Sequence, residues 1–201
     1  MIKVSGISKK KNNDTHLAKV QENKIFGFWT YMMSDLILFI CFLSTYSVLS
    51  ENSLYFLEWK NIHISKLSVI IKTFLLMFSN LLINLVCSFK TKKEKITYIL
   101  FFSIFLLTVS ILFSDFFIYN GYCNLISKDA LFSSFFTIMF IHIFHILLGS
   151  IWILILAFQI YKYKFDIINI TNLNCLKIFW NFLNLMWIFM ISIVFFLEKV
   201  L

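Results

Sequence analysis

Arginine and proline are absent from this 201-residue chain, and glycine occurs only four times. Charge is scarce too, at 14% of residues against roughly 25% in soluble domains. Lack of proline removes the usual cause of a helix kink. The four cysteines, Cys41, Cys87, Cys123 and Cys175, include no CxxC pair. That spacing suggests neither a metal cluster nor a disulfide framework. P-loop, G-x-S-x-G, Cys–His copper and Rossmann patterns are all missing.

What is present is apolar. Hydrophobic residues make up 60% and aromatics 19%, with a mean hydropathy of +0.86. One soluble core of this length could not hide so much apolar surface. A soluble enzyme, a disordered chain and a secreted disulfide scaffold are excluded, which leaves an all-α polytopic membrane protein. All 18 basic residues are lysine, and phenylalanine reaches 26, a bias towards A/T-rich codons laid over physical selection. A net charge of +8 would suggest nucleic acid in a soluble domain. In a membrane protein it reflects basic cytoplasmic loops, so no nucleic-acid partner is expected.

Residues 1–24 are polar and read as a mobile cytoplasmic tail. Residues 25–201 form the transmembrane domain, with five apolar stretches at about 25–49, 67–89, 96–119, 131–160 and 178–197. Each is long enough to cross a hydrocarbon core of about 30 Å. An unpaired backbone in lipid is costly, so all five should be helices. The first is too long for a signal-peptide core and lacks a small-residue cleavage site after it, so it is retained. Lysines crowd the tail, the 90–95 loop and the segment around Lys162, Lys164 and Lys177. The alternate loops and the C-terminus hold only Lys60, Lys66, Lys128 and Lys199. The positive-inside rule then puts the N-terminus inside and the C-terminus outside. Lys72 lies within a span near its outer end, from where it can snorkel, and Asp115 is similarly placed. Trp29, Tyr31, Trp59, Tyr161 and Trp180 suit interfacial anchoring.

A few polar residues interrupt the spans. Asp35 lies roughly 14 Å into the first helix by helical rise. An ionised carboxylate there costs about 2.5–3.5 kcal/mol on insertion scales. It should face protein or a wet cavity, or carry a proton. It reads as a proton or lipid-contact site, or as a buried hydrogen-bonded carboxylate. His142 and His145, three apart, share a helical face that Gly149 continues. Such a pair could bind metal. However, His16 and His63 lie in the tail and an outer loop, so no bis-histidine haem between helices is available. The plainer reading is hydrogen bonding to neighbouring helices, with Gly149 allowing close backbone approach. Asn181 and Asn184 should likewise face other helices.

Phe26-Gly27-Phe28-Trp29-Thr30-Tyr31-Met32-Met33-Ser34-Asp35 is similar to the F-G-F-W-x-Y-L-M-S-D of subunit III of haem–copper quinol oxidases, and Ser44-Thr45-Tyr46 to that family's A-T-Y. Phe135-Phe136 through His142 and His145 to Gly149 resembles F-F-x-L…H-G-L-H-V…G. Residues Phe179 to Trp187 resemble F-W-H-F-L-D-V-V-W, and Thr73 to Ser79 match the second helix.

The resemblance implies a five-helix accessory subunit of the bacterial inner membrane with no catalytic residue, haem, copper or other metal of its own. Haem and copper belong to subunit I, on which it packs. Subunits II and IV and membrane phospholipid are further partners, with the lipid in a cleft between the first two helices and the rest. Likeness to the cytochrome bo type implies ubiquinol as the electron donor, with proton pumping by the complex. Departures are Lys72 for a glutamate, Asn181 and Asn184 for histidine and aspartate, Ile143 for a glycine, and Asp115 for a glutamate. A different class of function is a small transporter or proton channel using Asp35 and the histidine pair. A lipid-binding membrane chaperone is a third. Inverted repeats or Gly/Pro-broken helices would mark a transporter, and this sequence has neither.

Overall fold

The computed structural model describes the backbone of residues 2–52, 66–88, 94–122, 130–163 and 167–200, and the side chains of 19–50, 68–88, 96–116, 130–162 and 168–193. It contains α1 (Ile2–Asn52), α2 (Lys66–Ser88), α3 (Glu94–Tyr122), α4 (Ala130–Tyr163) and α5 (Ile167–Val200). Trp59, His63, Cys123, Lys128 and the loop lysines at 90–93 lie outside the described residues, as do the side chains of His16, Glu198 and Lys199.

All five helices contain a stretch long and apolar enough to span a membrane: Lys19–Ser50, Ser68–Ser88, Ile96–Phe116, Ala130–Lys162 and Ile168–Ile193. Two boundaries differ from the expected ones. The polar 1–24 segment is helical from Ile2 and continuous with the first span. Its lysines, glutamine and glutamate are good helix formers, and a membrane-anchored helix supplies the nucleus that an isolated segment lacks. The last helix begins at Ile167, well before residue 178. Asn169 and Thr171 lower the local hydropathy, yet both are buried against the bundle.

Helices α2, α3, α4 and α5 form a four-membered ring in chain order, closed by α5 on α2, and α1 lies in the outer groove between α4 and α5. The interior is filled by large apolar side chains such as Met32, Phe39, Ile83, Ile104, Phe132, Ile146 and Leu183. Bulky apolar residues cover the outward faces of α2, α3 and α4, as Phe74, Phe102 and Phe144 illustrate. Those faces suit lipid chains. Among the described residues α1 packs on α4 and α5 whereas α2 packs on α3 and α5, so the first two helices do not pair as a unit set off from the rest by the expected cleft.

Gly149 shows why α4 and α5 approach so closely. A Cβ there would stand 2.8 Å from Trp180 Cζ3 and 2.9 Å from Phe179 Cε1. Only a hydrogen leaves room for those rings. Trp180 is therefore a core residue and not the interfacial anchor expected of it, while Trp29, Tyr31 and Tyr161 are exposed.

Candidate functional site

The polar side chains of the spans gather into two clusters, one inside the ring and one under α1. Inside the ring, Lys72 of α2 and Asp115 of α3 are fully buried together. Lys72 Nζ donates to Asp115 Oδ1 at 2.6 Å and to Oδ2 at 2.8 Å. The same ammonium lies 3.8 Å from the centroid of the Trp187 ring on α5, a cation–π contact. Lys72 therefore does not snorkel: carboxylate and indole satisfy it where it stands. Charge reversal at this position relative to the resembling family is matched by Asp115 one helix away.

Two tryptophans two turns apart on α5 lock that helix to α2. Trp187 Nε1 donates to Thr73 Oγ1 at 2.9 Å, and Trp180 Nε1 donates to Ser79 Oγ at 2.8 Å. Each hydroxyl passes its own proton to a carbonyl of its helix, Thr73 to Val69 and Ser79 to Leu76. His142 joins this cluster. Its ring packs on Trp187 at 5.3 Å between centroids, and Nε2 faces the Leu183 carbonyl at 3.4 Å. Asn184 is buried and donates to the Trp180 carbonyl one turn back.

His145 turns the other way. Its Nδ1–H donates to the Ile141 carbonyl at 2.8 Å, and Nε2 lies 3.5 Å from Asp35 Oδ2 on α1. That separation is within ion-pair reach but too long for a hydrogen bond of good geometry, and Oδ2 has no hydrogen-bond partner of its own. Tyr31, one turn earlier, interacts with the same carboxylate. Because Nδ1 keeps its proton on Ile141, a bridge from Nε2 to Asp35 requires exactly one further proton, carried by either ring or carboxyl. Without it, two lone pairs face one another.

A discriminating pair of substitutions follows. Asn at position 35 can donate an amide proton to Nε2, so Asp35→Asn should assemble and melt close to the unmodified protein. Asp35→Leu strands Nε2 and should cost about 1–3 kcal/mol. Thermal melting of the solubilised protein orders the two. Equal damage by both would mean that the carboxylate charge itself is needed.

The expected site residues thus divide. Asp35 and His145 meet, whereas His142 goes with Trp187, Leu183 and the Lys72–Asp115 pair. The two histidines serve different neighbours, and no three His, Cys, Asp or Glu side chains converge to hold a metal ion among the described residues. Asn184 faces inward as expected. Asn181 does not: it is exposed on the outer side of α5. The helical period explains this, since Asn181 falls on the same face as Leu185 and Ile188, four and seven residues on, and all three are exposed. Sequence reasoning missed the Lys72–Asp115 pair and both tryptophan locks. The tryptophans at i and i+7 were a signal available for the locks.

A family model described as cytochrome c oxidase subunit III matches residues 5–199. The chain is similar to the cytochrome bo(3) ubiquinol oxidase subunit 3 of Buchnera aphidicola subsp. Baizongia pistaciae, 33% identical over 94% of this chain and 97% of the relative. It is similar also to the protein of that name from Pseudomonas aeruginosa, at 31% over 86% and 84%. The probable quinol oxidase subunit 3 of Staphylococcus aureus is 26% identical over 93% and 94%.

Proposed function

The chain belongs to the cytochrome c oxidase subunit III family, and from that premise we propose that it is a non-catalytic accessory subunit of a respiratory ubiquinol oxidase. The observation that carries this reading is its end-to-end likeness to relatives named ubiquinol oxidase subunit 3. The chemistry belongs to a larger partner, subunit I, which would hold the haems and copper, oxidise quinol, reduce oxygen to water and move protons. Subunits II and IV and membrane phospholipid complete the assembly. The role of this chain is mechanical. Lys72 with Asp115, Thr73 with Trp187 and Ser79 with Trp180 join helices across the interior, which suits a rigid bundle that braces a neighbour.

The lysine asymmetry supports an N-terminus on the cytoplasmic side of the inner membrane and a C-terminus outside. Labelling of a cysteine at Ser8 from outside intact cells would overturn that orientation.

Recovery of the tagged chain from gently solubilised membranes should bring down haem and quinol-driven oxygen uptake. Within that complex, His142→Gln with His145→Gln keeps hydrogen-bonding capacity at both positions. Initial oxygen uptake, matched for haem content, should stay near normal. Losses should appear in assembly or in endurance during turnover, since interhelical bonds are each worth only about 0.6–2 kcal/mol. Proton transfer through the imidazoles would instead show as an immediate fall of about 10²-fold or more. Such a collapse with assembly intact would sink the bracing role for this pair.

A further inference from the structure

Two amides in the apolar spans of α2 and α5 have hydrogen-bonding capacity that the described chain does not use. Asn181 is exposed and sits near the middle of the apolar stretch Ile168–Ile193, about 18–20 Å from either end. Its side chain makes no hydrogen bond within the described residues. Asn80 of α2 is half-buried, and its Oδ1 is sealed from solvent without a hydrogen-bond partner.

The Ser79–Trp180 hydrogen bond fixes the relation between them. Thr73 pairs with Trp187 and Ser79 with Trp180, so α2 and α5 run antiparallel. In an antiparallel pair of right-handed helices, the residues one step beyond two facing positions turn to the same side of the seam. Asn80 and Asn181 therefore share one depth and one side. Phe179 turns the opposite way, onto His145 and Trp152 of α4. The amide side is thus the one directed away from α4, on the outer strip of α5 between α1 and α2. Leu185 and Ile188 continue this strip, both exposed.

We propose that this strip is the seat of a transmembrane helix of the haem-bearing subunit, which presents a hydrogen-bonding side chain to Asn80 and Asn181. The inference rests on the accessory-subunit reading and adds the place of contact. Hydrocarbon chains offer neither donors nor acceptors, and headgroups do not reach this depth. A neighbouring helix carrying a polar residue satisfies an amide there, and polar pairs of this kind join membrane helices. Among the described residues the outward faces of α3 and α4 carry no amide pair of this kind, and Phe102, Leu106 and Phe144 there are apolar and bulky.

Photo-crosslinking in the intact complex tests this. A benzophenone amino acid replaces Asn181, or Leu185 one turn on if the first replacement impairs assembly, with Phe102 as the lipid-facing control. The expected result is an adduct with the haem-bearing polypeptide from the strip and none from Phe102. In parallel, Asn181→Leu should weaken retention of the chain on that subunit about 3- to 20-fold, the range that one interhelical hydrogen bond supplies. If the unmodified chain brings down haem but the strip yields adducts only with lipid, with a second copy of this chain or with a haem-free polypeptide, the seat is refuted and the accessory role stands. If the unmodified chain brings down no haem, both fall.

Discussion

Replacing Asp115 with leucine should destabilise the protein by about 3–5 kcal/mol, the usual consequence of stranding one partner of a buried ion pair. Lys72 would be left fully buried against the Trp187 face, with the indole as its one remaining partner among the described residues. Lys72→Met alone should be damaging for the mirror-image reason, leaving a carboxylate inside the ring. Combining the two should restore most of the loss, because a packed apolar pair of similar volume often equals or exceeds a buried salt bridge. Lys72→Glu should be the worst single change, since it sets two carboxylates against each other where Lys72 Nζ now lies 2.6 Å from Asp115 Oδ1. Recovery of assembled complex and its melting temperature give the double-mutant cycle. Additive losses in the double variant would show that the pair is not coupled.

At Gly149, substitution by leucine should abolish normal docking of α4 on α5. Even alanine should cost about 1–3 kcal/mol by overpacking. The obstruction is the rings of Trp180 and Phe179, both buried, and Trp180 cannot slide without giving up its bond to Ser79. Gly27 supplies the control. No atom lies within 4 Å of a Cβ placed there, so Gly27→Ala should be neutral or gain up to about 1 kcal/mol from helix propensity. Melting curves of the two alanine variants should separate clearly. A Gly149→Ala protein as stable as the Gly27→Ala protein would mean that the α4–α5 seam yields easily.

The number of helices and their approximate limits were readable because hydropathy is a local property and lipid accepts only satisfied backbone. The beginning of α5 was not, because Asn169 and Thr171 look like loop residues until a neighbouring helix covers them. Asp35, His142, His145, Gly149 and Asn184 could be picked out as polar or small residues in apolar surroundings. Which of them meet could not. Lys72 and Asp115 are 43 residues apart, and only the adjacency of α2 and α3 turns two ionisable residues into a pair. Trp180 misled for a related reason: position near a helix end suggested an interface, whereas its direction sends it into the core.

The Lys72–Asp115 pair bears on how the chain enters the bilayer. During synthesis α2 is complete before α3 has been made, so its lysine reaches the insertion machinery with no carboxylate to meet. At about 5–20 residues per second the missing 43 residues take about 2–9 s. Unpaired, that lysine about 6 Å inside the span carries part of the ~2.5–3.5 kcal/mol that insertion scales assign to a charge at a helix centre, a cost that pairing with Asp115 offsets. The second and third helices should therefore leave the translocation channel together as a hairpin, with α2 held back until its counter-charge emerges.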